Sequence, residues 1–286
     1  MEVFTLRRGE PGYPTPLERL PDPPARLRVR GSLPEARRVA LVGARLADEY
    51  GLAMAASLAA GLARAGVAVV SGGAQGVDAA AHRGALEAGG PTVAVMGCGL
   101  SHAYPADHRD LFERIAASGG ALVSEYDDRF RPDRWTFPER NRLVAALCQA
   151  VVVVRAGERS GALITAGWAR RLGLPVLAVP GEAGDPLAAG PLSLLRAGAR
   201  LACGAEDVLR EIGLFPAEAA SPPPAEPAGE AGAVLRALGR RGRHADEVAR
   251  EAGLGAGATL SALLSLELQG LVEQRPGQLF RRREGR

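Results

Sequence analysis

The sequence predicts a doubly wound α/β domain on a mostly parallel sheet, followed by a small C-terminal winged-helix domain. Three observations carry this. From Arg37 to Val179, six short apolar runs alternate with five helical patterns. Most of those runs are uninterrupted, as strands buried on both faces of a parallel sheet require. From Ala231 onward, three short amphipathic patterns precede a strand-turn-strand pattern, the order of a winged helix.

The elements follow in order. Residues 1–34 are dense in proline (Pro14, Pro16, Pro23, Pro24) and read as an extended lead-in without regular structure. Residues 35–214 form the α/β domain. Its strands are expected at Arg38–Val42, Val67–Val70, Thr92–Met96, Ala121–Ser124, Ala150–Val154 and Val176–Val179. Its helices are expected at Ala47–Ala65, Val77–Ala88, Asp107–Ser118, Glu139–Ala146 and Leu163–Leu172. Gly66, Gly89, Gly119 and Gly173 supply stop signals. Residues 215–229, FPAEAASPPPAEPAG, are a linker by composition. Residues 230–286 hold helices at Ala231–Leu238, Ala245–Glu251 and Ala258–Gln269, then a hairpin of Leu271–Arg275 and Gln278–Arg282.

Composition bounds the function. The chain has 286 residues, 47% of them hydrophobic, and no apolar run reaches the roughly 18 residues of a membrane span. The start, MEVFTLRRGEPGYP, lacks a signal peptide's apolar core, so the cytoplasm is the expected compartment and no membrane partner is expected. Cys98, Cys148 and Cys203 are scattered and read as plain buried thiols, with no metal spacing. All 35 basic residues are arginine, so each cationic contact is made by a planar fork suited to phosphate. Net charge is only +3. Ala233 to Arg286 carries ten arginines and six acids, whereas Met1 to Gly232 carries 25 and 26. An anion site in the large domain is therefore local.

In a doubly wound sheet, ligands bind beyond the carboxyl ends of the strands. The first strand ends Gly43-Ala44-Arg45. The second runs into Ser71-Gly72-Gly73-Ala74-Gln75-Gly76 and a helix start, a turn whose amides and positive dipole end suit phosphate and whose glycines admit a close ligand. It is neither G-x-G-x-x-G nor a Walker loop, which disfavours a dehydrogenase or a P-loop enzyme. After the fourth strand, Phe137-Pro138-Glu139-Arg140-Asn141-Arg142 reads as an anion clamp, with Asn141 offering its amide to a base or to a neighbouring loop. The fifth strand leads to Arg159-Ser160-Gly161-Ala162, a second small-residue turn at a helix start. Two such turns and three arginine-bearing loops on one rim suit a polymer better than a single nucleotide. His82, His102, His108 and His244 stand apart from any catalytic constellation.

Seven strings occur in order: Val42-Gly43-Ala44-Arg45, Ser71 to Asp78, Tyr104-Pro105, Ser124-Glu125-Tyr126, Phe137 to Arg142, Arg159 to Leu163, and Ala178-Val179-Pro180-Gly181. In this the chain resembles the DprA (Smf) family of bacterial DNA-processing proteins over roughly Pro34 to Leu209. The resemblance implies an extended Rossmann-like fold that binds single-stranded DNA without a cofactor. It implies a non-enzymatic homodimer that protects incoming DNA and helps load RecA in natural transformation, with single-strand-binding protein as a further partner. It assigns DNA contact to Arg45, Ser71, Gly72, Gly73, Gly76, Arg159, Ser160, Gly161 and Ala162, and places Arg140, Asn141 and Arg142 as lining or bracing the pocket. Arg159 stands where a lysine is common, Ala162 where a serine is frequent, and Leu192 where an asparagine is often found. By the same resemblance, the helical N-terminal domain of longer members is expected to be missing or reduced to the Tyr13–Gly31 strip.

The competing reading is an enzyme related to nucleoside monophosphate phosphoribohydrolases, whose glycine turns are similar. Their P-G-G-x-G-T-x-x-E segment has no counterpart after Ser160-Gly161-Ala162-Leu163-Ile164-Thr165. A transcription factor is disfavoured because the expected recognition helix, ATLSALLSLELQ, contains no arginine. Arg240, Arg241, Arg243, Arg281, Arg282 and Arg283 could touch phosphate, so weak non-specific duplex binding or a protein contact is expected of that domain.

Overall fold

A computed structural model describes residues 2–214, 229–238, 242–269, 271–275 and 277–282. The chain divides into two compact units, Met1–Ala217 and Glu218–Arg286.

The first unit runs β1 (Val3–Arg7), β2 (Arg26–Gly31), β3 (Arg38–Val42), α1 (Glu49–Arg64), β4 (Ala68–Ser71), α2 (Val77–Glu87), β5 (Thr92–Val95), α3 (Arg109–Ala117) and β6 (Ala121–Ser124). It continues with α4 (Thr136–Ala146), β7 (Ala150–Val153), α5 (Gly161–Arg171), β8 (Val176–Ala178), α6 (Ala189–Arg196), β9 (Arg200–Leu201) and α7 (Ala205–Glu211). One nine-stranded sheet has the order β1-β2-β6-β5-β4-β3-β7-β8-β9. The run from β6 to β9 is parallel, and β1 and β2 add antiparallel beside β6.

Successive residues of β3 serve opposite cores. Ala40 and Val42 join Leu143, Ala146 and Ala166 of α4 and α5, while Val39 and Leu41 join Leu58, Leu62 and Ala81 of α1 and α2. This is the two-sided burial the apolar runs require. Asp48 caps α1, its Oδ1 accepting the Gly51 amide at 3.0 Å. The four glycines expected to stop helices have φ between 67° and 75°.

The lead-in expected over residues 1–34 is corrected. Two of its stretches are strands, paired from Val3 opposite Arg30 to Arg7 opposite Arg26. The prolines fall between the strands, and Leu27 and Val29 alternate inward with Arg28 and Arg30. Cys98 and Cys148 are buried, but Cys203 is exposed.

The second unit holds α8 (Gly229–Leu238), β10 (Arg243–His244), α9 (Ala245–Ala252), α10 (Ala256–Leu268), β11 (Val272–Arg275) and β12 (Leu279–Arg282). A three-stranded sheet, β10-β12-β11, closes over its own core of Val234, Leu238, Val248, Leu263 and Phe280. The linker expected over 215–229 lies outside the described residues except for Gly229, which opens α8; Arg240, Arg241 and Arg283 also lie outside them.

Candidate nucleic-acid interface

The chain lays down β3 to β6 outward in one direction, then returns to place β7 beside β3. At that reversal the carboxyl ends of the strands leave a crevice. A cleft of about 460 Å³ occupies it, lined by the loops after β3, β4 and β7 and by the start of α4.

The loop after β3 is held by Arg155 at the end of β7. The Ala44 amide donates to the Arg155 carbonyl at 2.6 Å, and the Arg155 guanidinium pairs with Asp48 at 2.5 Å and with Asp185. Between these anchors Arg45 is exposed, its Cζ 5.5 Å above the Phe137 ring, a cation–π geometry that aims a charge over an aromatic floor.

The turn after β4 is arranged differently from the sequence expectation. Asp78 turns back so that its Oδ2 accepts the amides of Gly72 at 3.1 Å and Ala74 at 3.2 Å. Two donors of the expected cradle are thus committed to the protein. Burial pushes the Asp78 carboxyl up, against the pull of Arg140 and of the two amides. Ser71 is buried and donates to the Leu41 carbonyl at 2.6 Å. The glycines serve the protein as well. A Cβ at Gly72 would lie 2.5 Å from Arg140 Nη2 and 2.8 Å from Asp78 Oδ2, and one at Gly76 would lie 2.3 Å from the Ala44 carbonyl oxygen. Gly73, at φ 72°, would press on Phe112 at 3.0 Å. Close approach of DNA is therefore not what demands glycine at these three positions.

Arg140 is buried, donating to the carbonyls of Gly72 at 2.7 Å and of Val95. Burial lowers its pKa to about 10, which leaves it charged at neutral pH. Its Nε donates to Asn141 Oδ1 at 3.4 Å, and Asn141 Nδ2 donates to the Gly161 carbonyl at 3.1 Å. Arg140 and Asn141 thus tie the first glycine turn to the second. Arg142 lies outside the cleft lining, paired with Glu125 and donating to the Asp22 carbonyl at 3.2 Å. Of the residues expected as an anion clamp, Arg140 donates through Nε and Nη1, and Arg142 through both of its terminal nitrogens, to the protein's own oxygens, and Asn141 takes the neighbouring loop, one of the two partners expected of it.

The second turn is the more open. Ser160 caps α5, its Oγ accepting the Ala162 amide at 3.3 Å. Ser160, Gly161 and Ala162 line the cleft, and a Cβ on Gly161 would meet nothing closer than 3.9 Å. Arg159 is exposed beside the cleft. Among the described residues, Arg45, Arg134 and Arg159 carry no ion pair, so three free cations border this rim. The cleft therefore brings together Arg45, Gly72, Arg140, Asn141, Ser160, Gly161 and Ala162; Ser71, Gly73, Gly76, Arg142 and Arg159 lie outside its lining. Sequence reasoning missed Arg134, which lies two residues before α4 but five before the helix start expected at Glu139.

The profile of a family described as DNA recombination-mediator protein A matches residues 4–213, and the DprA winged helix domain matches residues 218–278. A relative carried under the DprA name in Mycobacterium tuberculosis is 46% identical over 254 residues; the match covers 85% of this chain and 64% of that protein's length. The crystal structure of DNA processing protein A from Streptococcus pneumoniae superposes with a TM-score of 0.70 at 36% identity, over 73% of this chain and 74% of that one. DNA processing protein A from Helicobacter pylori, whose structure is described by its single-stranded DNA binding mode, superposes with a TM-score of 0.66 at 30% identity, over 73% of this chain and 94% of that one. This chain belongs to the DNA recombination-mediator protein A family, the DprA or Smf DNA-processing proteins.

Proposed function

We propose that the protein binds single-stranded DNA along the rim above β3, β4 and β7, protects it, and hands it to RecA during recombination and natural transformation. The observation that carries the binding step is the set of unpaired arginines, Arg45, Arg134 and Arg159, around a cleft with an aromatic floor at Phe137. Such a surface grips a backbone by charge and bases by stacking, without reading sequence. Gly161 is the glycine that leaves room for a phosphate against a helix N-terminus. The enzyme reading is weaker here. Asp78 is the one carboxylate in the cleft lining, and its Oδ2 is held by two amides. A homodimer, the delivery to RecA and an encounter with single-strand-binding protein rest on family membership.

Fluorescence anisotropy with an oligonucleotide of about 35 bases tests the binding step. Binding should be tighter than to duplex and should weaken in Arg45→Ala and Arg159→Ala; equal affinity for single strand and duplex overturns it. Filament assembly by RecA on DNA coated with single-strand-binding protein tests delivery: the protein should shorten the lag.

A further inference from the structure

The loop between β6 and α4, Tyr126-Asp-Asp-Arg-Phe-Arg-Pro-Asp-Arg-Trp135, is not used by the cleft except at Arg134. It interleaves three aromatics with three arginines. Tyr126 and Phe130 stack with centroids 4.7 Å apart at 20°, and Trp135 meets both edge-on at 6.2 Å. Trp135 is nevertheless 54% exposed, a large cost for a residue whose role is only to fill space.

The charges are sorted to match. Asp127 pairs with Arg26 at 2.9 Å, and Asp128 accepts Arg28 Nε at 3.0 Å, so β2 neutralises two of the loop's acids. Arg129, Arg131 and Arg134 are exposed and, among the described residues, have no ion pair; Asp133 is the carboxylate left against them. The backbone is held in place. The amides of Gly99 and Ser101 donate to the carbonyls of Phe130 and Asp128 at 2.9 and 3.0 Å, and a Cβ at Gly99 would lie 2.1 Å from the Asp127 carbonyl oxygen. A platform ordered in advance costs little entropy on binding.

We propose that this loop is a second station for single-stranded DNA, in which a base leaving the cleft stacks on the exposed face of Trp135 while Arg129 and Arg131 hold the flanking phosphates. Arg134, in the cleft lining, joins the two stations. The proposal rests on the single-strand reading above and extends the track from the Phe137 floor back along the loop that precedes α4.

The test uses full-length protein carrying Trp168→Phe, which leaves Trp135 as the single tryptophan. A twenty-base oligothymidylate should quench its emission on binding. In the wild-type background, Trp135→Ala should weaken binding about tenfold, the loss of one base-stacking platform, while Trp135→Phe restores most of the affinity. Arg131→Ala should make the salt dependence shallower by about 0.7 in log–log slope. Unchanged emission together with wild-type affinity in Trp135→Ala overturns this station and leaves the cleft reading intact. Failure of the wild-type protein to bind the oligonucleotide at all overturns both.

Discussion

Glycines at two turns that look alike in sequence do different work. Gly72 holds open the space taken by the Arg140 guanidinium, whereas Gly161 faces open space. Gly72→Val should therefore cost about 1–3 kcal/mol of stability through overpacking, seen as a lower urea midpoint. Gly161→Ala should change stability by less than about 1 kcal/mol and still weaken single-strand binding; unchanged binding would remove Gly161 from the interface. His82 offers a pH prediction. Thr92 Oγ1 donates to the Val69 carbonyl, so the contact at 2.7 Å fixes the proton on His82 Nδ1. The buried Nε2 has no partner among the described residues, and burial lowers the pKa to about 3. The unfolded chain takes up a proton near pH 6.5 that the folded protein refuses. Stability from this group is thus complete above pH 6.5 and is lost as pH falls toward 3, by up to about 4–5 kcal/mol. Acid-side denaturant titrations of wild type and His82→Gln should diverge across that window.

At the scale of elements, α4 joins the two turns. Asn141→Ala removes the link from Arg140 to the Gly161 carbonyl. It should cost about 1 kcal/mol and speed hydrogen exchange across residues 160–163 while the central strands stay protected. Equal exchange in both proteins would show that the bridge does not hold the turn. The elements themselves were legible wherever burial is two-sided. Arg38–Val42 and Ala121–Ser124 fall where their apolar runs place them. The β1–β2 hairpin was not, because the prolines between its strands outweigh a period-two signal of only Leu27 and Val29. α6, with Gly190-Pro191 inside it, and the seven-residue α7 are too short and interrupted to show a helical period. In the site, sequence located the turns but could not tell which glycine faces protein and which faces solvent. That depends on Arg140 and Asp78 arriving from elsewhere in the chain.

At the scale of the molecule, charge and shape assign the two units different tasks. Every cleft-lining residue lies between Val42 and Leu187, in the unit whose formal charges nearly cancel. The cationic excess is C-terminal, yet α10 carries no arginine and exposes Leu260, Leu264 and Leu268 at four-residue spacing. That is one apolar stripe along a helix, with no cation or amide on it to read base edges. Single-strand binding should then show the salt slope of a few local arginines: about −2 if Arg45, Arg134 and Arg159 act alone, and about −3.5 if Arg129 and Arg131 join them. A chain ending at Ala217 should keep both the affinity, within about threefold, and that slope. If the full chain instead gives a slope steeper by more than about 1, C-terminal arginines contact the same strand. In that case the winged helix is part of the DNA path.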